Sequence, residues 1–471
     1  MTNFLIWFIT IVLLGAVNFP LSFTLLKHLK DRGYAVTKIL GLLIWGYIFW
    51  MLTMLGITGN NLGGVIFALL VVLGLNGWLY VNSNKKINRW VKDNLKTIIL
   101  TEAVFLVCFG FWTIVRAADP AILGTEKPME LAFINAILKS PSFPPNDPWL
   151  SGYSISYYYF GYVIVSMLVR ITGVSSTIAF NLMVALLFGL VATSAFGLLN
   201  NLLAKKREND EEKPPSKAWG LLASFFILFL GNVEGFLEML HARGIGWTQQ
   251  ADGSLTSTFW TWLNIPEIEN PPSLPFRWTP NRSGGYWWWR ASRVVQDFKA
   301  NGERIEIIDE FPQFSYILAD MHPHVLSMPF VILAVTVALN IYYGVVKNAE
   351  EKMSVFEWLS FKIQPAENGK PAMSDLFIFE WLKEPVFWLI TLVCGGIAFF
   401  NTWDFPVYVG IFSLAVLVFN TARFGWSRKR IAEFLETGML TGILGILLYL
   451  PFFLSFSSQA GGFLPSLNFF T

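Results

Sequence analysis

The sequence predicts an all-α fold: a polytopic transmembrane helical bundle whose extracytoplasmic loops bear juxtamembrane helices. Three observations lead to this class. Of the 471 residues, 54% are hydrophobic and only 14% are charged, whereas soluble domains carry about 25% charged residues. The mean hydropathy is +0.51. About eleven windows are long and apolar enough to cross a bilayer, and each is expected to be helical because lipid offers the backbone no hydrogen-bond partner.

The apolar windows follow one another along the chain and predict about ten to twelve spanning helices. The first, MTNFLIWFITIVLLGAVNFPLSF, lacks a basic leader and is longer than the apolar core of a signal peptide, so it is expected to be a span. The windows lie near residues 4–26, 38–57, 62–82, 97–115, 157–172, 176–203, 218–238, 325–346, 385–400, 407–421 and 436–456.

The spans and the loops between them divide the chain into four predicted parts. These are N-terminal transmembrane helices (1–115), a core (116–346) with extracytoplasmic loops 116–156 and 239–324, a cytoplasmic loop (347–384) and C-terminal transmembrane helices (385–471). The last part ends soon after a span, which leaves open whether the chain continues in a longer protein.

Lysine and arginine residues between the windows predict the orientation of the bundle in the cell membrane. Basic clusters concentrate in cytoplasmic loops, and here they follow the first, third and tenth windows. The loop 116–156 is therefore expected outside. The basic segment 204–217 conflicts with two full crossings at 157–172 and 176–203. Either 157–172 is a juxtamembrane or re-entrant helix, or segment 204–217 departs from the rule.

Net charge and cysteine usage exclude two classes of function. The net charge is +2, which gives no electrostatic basis for binding nucleic acid. Cys108 and Cys394 both lie inside apolar windows. They are expected to be buried as small apolar side chains rather than to form a disulfide or bind a metal.

The loop 116–156 concentrates acidic residues between two apolar windows, and Glu126, Glu130 and Asp147 are the candidate catalytic residues. The stretch MELAFINAIL (129–138) predicts an amphipathic helix on the membrane surface, with Glu126 and Glu130 on one face of this helix or of its entry turn. Prolines beside Asp147 predict a stiff, extended turn. Such carboxylates suit deprotonation of an acceptor or, at Glu126 and Asp147, binding of a divalent cation such as Mg²⁺ or Mn²⁺. The alternative is that they are ordinary solvated charges.

Further polar and aromatic residues are candidates for substrate binding. They are Lys127, Tyr157, Tyr158, Tyr159, Arg277, Arg282, Arg290, Arg293, Asp320, His322, His324, Trp403 and Asp404. The tyrosines either stack on a sugar or form an interfacial aromatic belt. The arginines either bind the phosphate oxygens of one lipid headgroup or touch ordinary anionic lipid.

Two of these groups lie beside predicted spans. Asp320, His322 and His324 alternate at the head of one span, where Pro323 prevents the spacing of a helical zinc site. Proton exchange, phosphate contact or structural hydrogen bonding is therefore the favoured role. In the turn NTWDFP (401–406), the carboxylate of Asp404 needs a partner in its apolar surroundings.

Six motifs resemble the YYY family of uncharacterised prokaryotic membrane proteins. They are GTEKPME (124–130), FPPNDPW (143–149), YYYFG (157–161), RWTPNRSGGYWWWRASRV (277–294), DEFPQFSYILADMHPHV (309–325) and NTWDFP (401–406). The chain also resembles, more loosely, the GT-C superfamily of glycosyltransferases, which use lipid-phosphate-linked sugars. This resemblance implies a GT-C-like core at 116–346. It matches Glu126 and Glu130 to the early acidic position of these enzymes and Asp147 to the later one.

The leading hypothesis is an integral membrane glycosyltransferase that takes a sugar from a polyprenyl-phosphate-linked donor on the outer membrane face. Glu126 or Asp147 would deprotonate the acceptor or hold the cation, and the arginines would stabilise the departing lipid phosphate. A transporter or flippase for a lipid-linked or anionic substrate is one alternative, and a non-catalytic envelope protein is another. Membrane lipid is an expected partner, while the sugar, the acceptor and the oligomeric state stay open.

Overall fold

The computed structural model of the chain describes residues 1–206, 216–278, 280, 287–344, 352–355 and 376–456. Two compact units make up this part of the chain. The first unit contains residues 1–224 and the described residues from 319 onwards, and the second unit contains residues 225–318. Arg282, most of segment 204–217 and most of segment 347–384 lie outside the described residues.

Helices form most of the described chain. In order they are α1 (Thr2–Leu25), α2 (Thr37–Met54), α3 (Leu62–Asn82), α4 (Lys86–Asp93), α5 (Leu95–Ala118), α6 (Lys127–Lys139), α7 (Phe160–Thr172), α8 (Ser176–Lys206), α9 (Gly220–Phe229), α10 (Glu234–Ala242), α11 (Thr258–Leu263), α12 (Pro312–Leu318), α13 (Pro323–Tyr343), α14 (Phe377–Lys383), α15 (Pro385–Phe400), α16 (Phe405–Phe424), α17 (Arg428–Leu448) and α18 (Leu450–Ser455).

The lengths and composition of these helices confirm the polytopic helical class. Among the described residues, eight helices are long and apolar enough to cross a membrane, or ten if each of two bent pairs counts as one span. The bent pairs are α9 with α10 and α14 with α15. Helices α3 and α5 leave apolar side chains such as Leu70, Val107 and Ile114 exposed. A membrane protein covers such faces with lipid, which accounts for their composition.

Contacts between connecting segments distinguish two ends of the first unit. We call the basic end the one formed by residues 26–36, 83–94 and 425–427, where Asp31 bonds Asn201 at the end of α8. We call the acidic end the one formed by residues 55–61, 118–159, 173–175, 319–322 and 401–404. The predicted cytoplasmic clusters around Lys27, Lys85 and Arg428 all lie at the basic end. The positive-inside rule then predicts that this end faces the cytoplasm.

Helix α7 does not run between the two ends. It has 13 residues and is therefore about 20 Å long, while the hydrocarbon core is about 30 Å thick. Near its start, the hydroxyl of Tyr162 donates to the carbonyl of Met321, and near its end Arg170 donates to the carbonyl of Leu138. Both partners belong to the acidic end. The re-entrant or juxtamembrane alternative for 157–172 thus fits, and the basic segment after α8 no longer conflicts with the orientation.

Buried polar pairs fix neighbouring helices of the first unit. The Nζ of Lys38 in α2 lies 2.5 Å from the Oε1 of Glu102 in α5, and the hydroxyl of Tyr34 donates to the same oxygen at 2.9 Å. Pro20 interrupts α1, and the amide oxygen of Asn76 in α3 accepts the N–H of the following residue at 3.1 Å. Because unpaired polar groups are costly in an apolar interior, these pairs specify which helices lie together.

The second unit contains two antiparallel hairpins that the sequence analysis did not predict. Strand β1 (Thr248–Gln249) pairs with β2 (Leu255–Thr256), and β3 (Gln296–Phe298) pairs with β4 (Arg304–Glu306). Each turn contains a glycine with positive φ, Gly253 at 84° and Gly302 at 82°. The preceding residues are Asp252 and Asn301, and Asp-Gly and Asn-Gly are frequent hairpin turns because both tolerate this backbone.

The path of α7 can be tested with single cysteines in a variant without Cys108 and Cys394. Tyr153→Cys precedes α7 and Ser175→Cys follows it, and both positions are exposed. A membrane-impermeant maleimide added to sealed vesicles is expected to label both from the same side. Lys86→Cys, exposed at the basic end, serves as the control and is expected to react from the opposite side. Labelling of positions 153 and 175 from opposite sides would show that α7 crosses the bilayer.

Candidate active site at the acidic end

The backbone N–H and carbonyl of Met321 are each bonded by a side chain from another helix. Its N–H donates to the Oε2 of Glu130 in α6 at 2.7 Å, and its carbonyl accepts from the hydroxyl of Tyr162 in α7 at 3.1 Å. Ala319 has a left-handed backbone with φ of 62°, and Pro323 begins α13. This stretch is therefore not helical, and side chains pair with the N–H and the carbonyl of Met321 instead. We call this arrangement the Met321 clamp.

Helix α6 is itself fixed at its C-terminal end. The side-chain amide of Asn60 donates to the carbonyls of Ile137 at 2.6 Å and Ser140 at 2.7 Å. The guanidinium of Arg170 donates to the carbonyl of Leu138 at 2.9 Å. Carbonyls at the C-terminal end of a helix lack partners within the helix, and a cation there also interacts favourably with the negative end of the helix dipole. The position of α6, and with it of Glu126 and Glu130, is thereby set from both α7 and the 55–61 loop.

A chain of side chains connects the start of α6 to the start of α13. The Nε2 of His322 lies 3.2 Å from the Oε2 of Glu126, and the Nδ1 of His322 lies 2.9 Å from the Nδ1 of His324. A neutral histidine has one N–H. If His322 donates from Nε2 to Glu126, its Nδ1 is an acceptor, and His324 must donate from Nδ1. Glu126, His322 and His324 then form one continuous hydrogen-bonded path.

Solvent can reach this path. The side chain of Glu126 is 46% exposed and that of His322 is 36% exposed. Glu126 occupies the N-cap position of α6, where its carbonyl accepts the N–H of Glu130 at 3.0 Å. The helix holds the Glu126 carboxylate in one position, and its exposure to solvent lowers the cost of a negative charge there. Such a carboxylate is suited to exchange protons with a ligand.

Glu130 lies in the first turn of α6, after Glu126, and has no solvent-exposed surface. Burial, the nearby charge of Asp320 and that of Glu126 hold the pKa of Glu130 well above its usual value of 4.5, although the Met321 N–H opposes this shift. Asp320 is also buried, at 4% exposure. Two carboxyl groups so close in an apolar setting disfavour a double negative charge. Glu130 is therefore expected to hold a proton at neutral pH.

Lys127 lies between the acidic and basic groups of this end. Burial and Arg116 lower the pKa of Lys127, while Asp320, Asp119 and Glu130 act in the opposite direction. Arg116 is held in place because its Nε and Nη2 donate to the Oδ1 of Asn181 in α8 at 3.0 and 2.8 Å. Lys127 is thus a cation held close to carboxylates of the candidate site, suited to attract an anionic group.

Asp147 has a local structural role. Its Oδ1 accepts the N–H groups of Trp149 at 2.7 Å and Leu150 at 2.8 Å, and its own N–H donates to the carbonyl of Tyr153 at 2.8 Å. An aspartate that bonds the backbone two residues on stabilises a turn. The predicted stiff turn is present, and Asp147 is the residue that closes it. Its catalytic role stays a prediction.

The three consecutive tyrosines differ in burial. Tyr159 is fully buried, where the indole N–H of Trp50 donates to its hydroxyl at 3.4 Å and its ring packs edge-on against Phe399. Tyr157 and Tyr158 are half-buried, and their ring centroids lie 5.5 Å apart. Burial and the nearby carboxylate of Glu126 raise the pKa of Tyr157. Tyr157 and Tyr158 are the members of the triplet that a ligand can reach.

The 401–404 turn contacts the head of α13. The hydroxyl of Ser327 donates to the Oδ2 of Asp404 at 2.7 Å and also to the carbonyl of His324 at 3.0 Å. Asp404 therefore has the partner that its position required, and Ser327 connects it to the histidine pair. Trp403 is 74% exposed. The turn thus belongs to the acidic end, where Trp403 offers an exposed aromatic face.

The predicted phosphate-binding arginines belong to the second unit. Arg290 lies 2.5 Å from Glu267 and 3.9 Å from Glu306, Arg293 stacks on Trp289 at 4.2 Å, and Arg277 is exposed. Arg282 lies outside the described residues. Arg290 and Arg293 thus make ion-pair and stacking contacts within the protein, whereas the sequence analysis predicted only contacts with lipid. Phosphate binding by these arginines stays a prediction.

Comparison with known proteins gives the family at a coarse level. The family model described as "Uncharacterized membrane protein (DUF2298)" matches residues 44–467. The chain belongs to this family. Neither the comparison with curated proteins nor that with solved structures gave a match. As a member of DUF2298 the chain is a membrane protein, and its resemblance to the YYY family and to GT-C enzymes stays a prediction.

The proposed cation site has no further support among the described side chains. Within residues that the structure describes, no group of three or more His, Cys, Asp or Glu is arranged to hold a metal ion. The Oδ1 of Asp147 already accepts two backbone N–H groups. Binding of Mg²⁺ or Mn²⁺ by Glu126 and Asp147 stays a prediction.

Sequence reasoning missed the residues that position the site. Asn60, Arg170, Ser327 and Tyr162 were not among the candidate site residues. Arg170 had a usable signal, since an arginine near the end of an apolar window needs a polar partner. Asn60 and Ser327 had none, because their roles depend on which segments meet in the folded chain.

The raised pKa of Glu130 predicts a pH-dependent effect of Glu130→Gln. In the unfolded chain Glu130 ionises above about pH 4.5, while the folded state keeps it neutral, so Glu130 lowers stability increasingly as pH rises above that value. Glutamine removes this effect and can still accept the Met321 N–H. The apparent unfolding temperature of the variant in detergent, relative to the natural chain, is expected to rise between about pH 5 and pH 8.

The control for this experiment is Glu130→Ala, which removes the acceptor as well. It leaves a buried N–H unpaired and a cavity, and it is expected to be less stable than Glu130→Gln by about 2–5 kcal/mol at every pH, because neither variant has an ionisable group at residue 130. A difference between Glu130→Gln and the natural chain that is independent of pH, or that falls as pH rises, would contradict the assignment of a protonated Glu130.

Proposed function

We propose that this DUF2298 protein is a membrane glycosyltransferase that uses a polyprenyl-phosphate-linked sugar, with Glu126 as the general base. The observation that carries the proposal is the hydrogen-bonded path from Glu126 through His322 to His324 at a partly hydrated end of the first unit. A carboxylate paired with histidines is a common device for proton transfer at neutral pH.

The reaction needs one proton acceptor and one stabilised leaving group. Glu126 takes the proton from the hydroxyl of the acceptor, whose oxygen attacks the anomeric carbon of the sugar. The bond between that carbon and the phosphate oxygen breaks, and polyprenyl phosphate leaves with the electron pair. The cation of Lys127 lies close to the acidic cluster and is suited to stabilise the phosphate. Tyr157 and Trp403 supply aromatic surfaces for the sugar.

Glu126 is favoured over Asp147 and Glu130 by its surroundings. Glu130 is buried and its raised pKa makes it a poor proton acceptor until the pH is high. Asp147 uses one carboxylate oxygen to accept two backbone N–H groups that close its own turn. Glu126 alone among the three joins a histidine pair.

Transport of a lipid-linked or anionic substrate is a second candidate, and one observation favours it. Two spans are interrupted, α9–α10 by a bend of 66° and α14–α15 by a bend of 88°. Broken helices expose backbone groups at membrane depth, and transporters use such groups to bind substrates. In transport, the lipid-linked donor crosses the membrane and keeps its sugar, whereas a glycosyltransferase moves the sugar from the donor to an acceptor.

The test uses purified protein in vesicles that contain polyprenyl-phosphate-linked sugars, and it measures release of polyprenyl phosphate. Glu126→Gln keeps the size of the side chain but removes the base, so it is expected to lower release by about 10²-fold or more. Asp147→Asn is the matched control, since its amide oxygen still accepts both backbone N–H groups. It is expected to keep activity within a few-fold of the natural chain.

Three outcomes would contradict the proposal. The first is full activity of Glu126→Gln. The second is movement of labelled donor across the membrane without release of polyprenyl phosphate, which would support transport. The third is loss of activity on chelation that Mg²⁺ or Mn²⁺ restores in the natural chain but not in Glu126→Gln, which would make Glu126 a cation ligand instead of a base.

A further inference from the structure

We propose that the basic end of the first unit contains a binding site for one anionic phospholipid, with the phosphodiester group among Lys27, Arg32 and Arg89. This site lies at the opposite end of the helices from Glu126 and is independent of the glycosyltransferase proposal. Its evidence is a set of adjoining cavities, the charges that line them and the apolar crevice into which they continue.

Two cavities meet at the turn that follows α1. One has a volume of about 410 Å³ and the other of about 550 Å³, and both are lined by Lys27, Arg32, Trp90 and Asp93. Lys30 lines the first, while Lys86 and Arg89 line the second. The walls thus present five cations and one carboxylate. This imbalance favours an anionic occupant.

Three of the five cations are not paired with an acidic side chain of a described residue. In the described part of the chain, Lys27, Arg32 and Arg89 form no ion pair, whereas nearby Lys38 is paired with Glu102. The guanidinium of Arg32 lies 5.0 Å from the centre of the Phe23 ring. Stacking fixes the plane of a guanidinium and leaves its N–H groups for bidentate contact with phosphate oxygens.

An aromatic wall holds the two cavities in shape. The ring of Trp90 in α4 packs 5.0 Å from Phe19 and 6.4 Å from Phe23, measured between ring centres. Helix α4 also buries Ile87 and keeps Lys86 and Arg89 exposed. It is therefore an amphipathic helix at the membrane surface, anchored by its aromatic residue and presenting its cations beside the turn that carries Arg32.

A third cavity explains why a lipid fits better than a free anion. It has a volume of about 760 Å³, shares Lys27 and His28 with the first cavity, and continues along apolar residues of α1 and α3 such as Leu21, Leu75 and Trp78. Its other wall includes Glu384 and Glu380, and Glu380 is paired with Lys352 and Lys383. A charged rim above an apolar crevice between helices matches a headgroup joined to acyl chains. The positive-inside rule predicts that this end faces the cytoplasmic leaflet, which contains anionic lipid.

The test measures lipid binding to the full chain in a neutral detergent by native mass spectrometry. The probes are dioleoyl phosphatidylglycerol, dioleoyl phosphatidylcholine and inorganic phosphate. The variant K27Q/R32Q/R89Q removes three cations of the site. The control K85Q/K92Q/K96Q removes the same charge from exposed positions at the same end that line none of the three cavities.

The natural chain and the control are expected to bind phosphatidylglycerol with similar affinity, and K27Q/R32Q/R89Q about 10-fold or more weakly. Phosphatidylcholine and inorganic phosphate are expected to bind far more weakly than phosphatidylglycerol. If the variant does not fold, raising the salt concentration on the natural chain must weaken phosphatidylglycerol binding selectively.

Several results would overturn the proposal. Equal losses in the variant and in the control would show a nonspecific charge effect. Equal binding of phosphatidylcholine would show that only the acyl chains are bound. Saturation of the site by inorganic phosphate at comparable affinity would show a site for a free anion instead of a lipid.

Discussion

The candidate site depends on the two hydrogen bonds of the Met321 clamp. Met321 precedes α13 and lies outside it, so a buried carboxyl on α6 accepts its N–H and a hydroxyl on α7 donates to its carbonyl. This constraint determines where α13 begins. The imidazole of His322, next in the chain, then reaches Glu126 at the start of the same α6. Removing the clamp would leave buried polar groups unpaired and would free the start of α13.

The two ends of the first unit differ in the burial of their charged side chains. At the acidic end, Glu130 and Asp320 are buried together, which raises the pKa of Glu130, while the side chain of Glu126 stays partly exposed. At the basic end the cations are exposed around open cavities. This difference is the basis for proposing proton chemistry at the first end and binding of an anionic headgroup at the second. Helix α7 contributes by supporting the acidic end, because hydrogen bonds near both of its ends join it to segments of that end.

Much of the fold followed from the sequence, and the site followed only in part. Apolar windows predicted the spans, and the amphipathic pattern of 129–138 predicted α6. Hydropathy could not show that α7 does not run from the acidic end to the basic end, because a re-entrant helix is as apolar as one that crosses the membrane. The Asp-Gly and Asn-Gly turns of the second unit carried a hairpin signal that was overlooked. Asp320 and His322 were candidates, but local patterns cannot reveal that they meet Glu126 and Glu130, because the two stretches are far apart in the sequence. The Met321 N–H and the Glu130 carboxyl that accepts it are 191 positions apart.

The central claim is that the Met321 clamp holds Glu126 beside His322. The most direct test is cross-linking of E126C/H322C, in a background without the natural cysteines, by a short bifunctional methanethiosulfonate reagent in membranes. Efficient cross-linking is predicted when residue 130 is the natural glutamate or glutamine, since both accept the Met321 N–H, and a marked loss is predicted for Glu130→Ala. Absence of the cross-link with the natural Glu130, or equal yields with all three residues, would contradict the account.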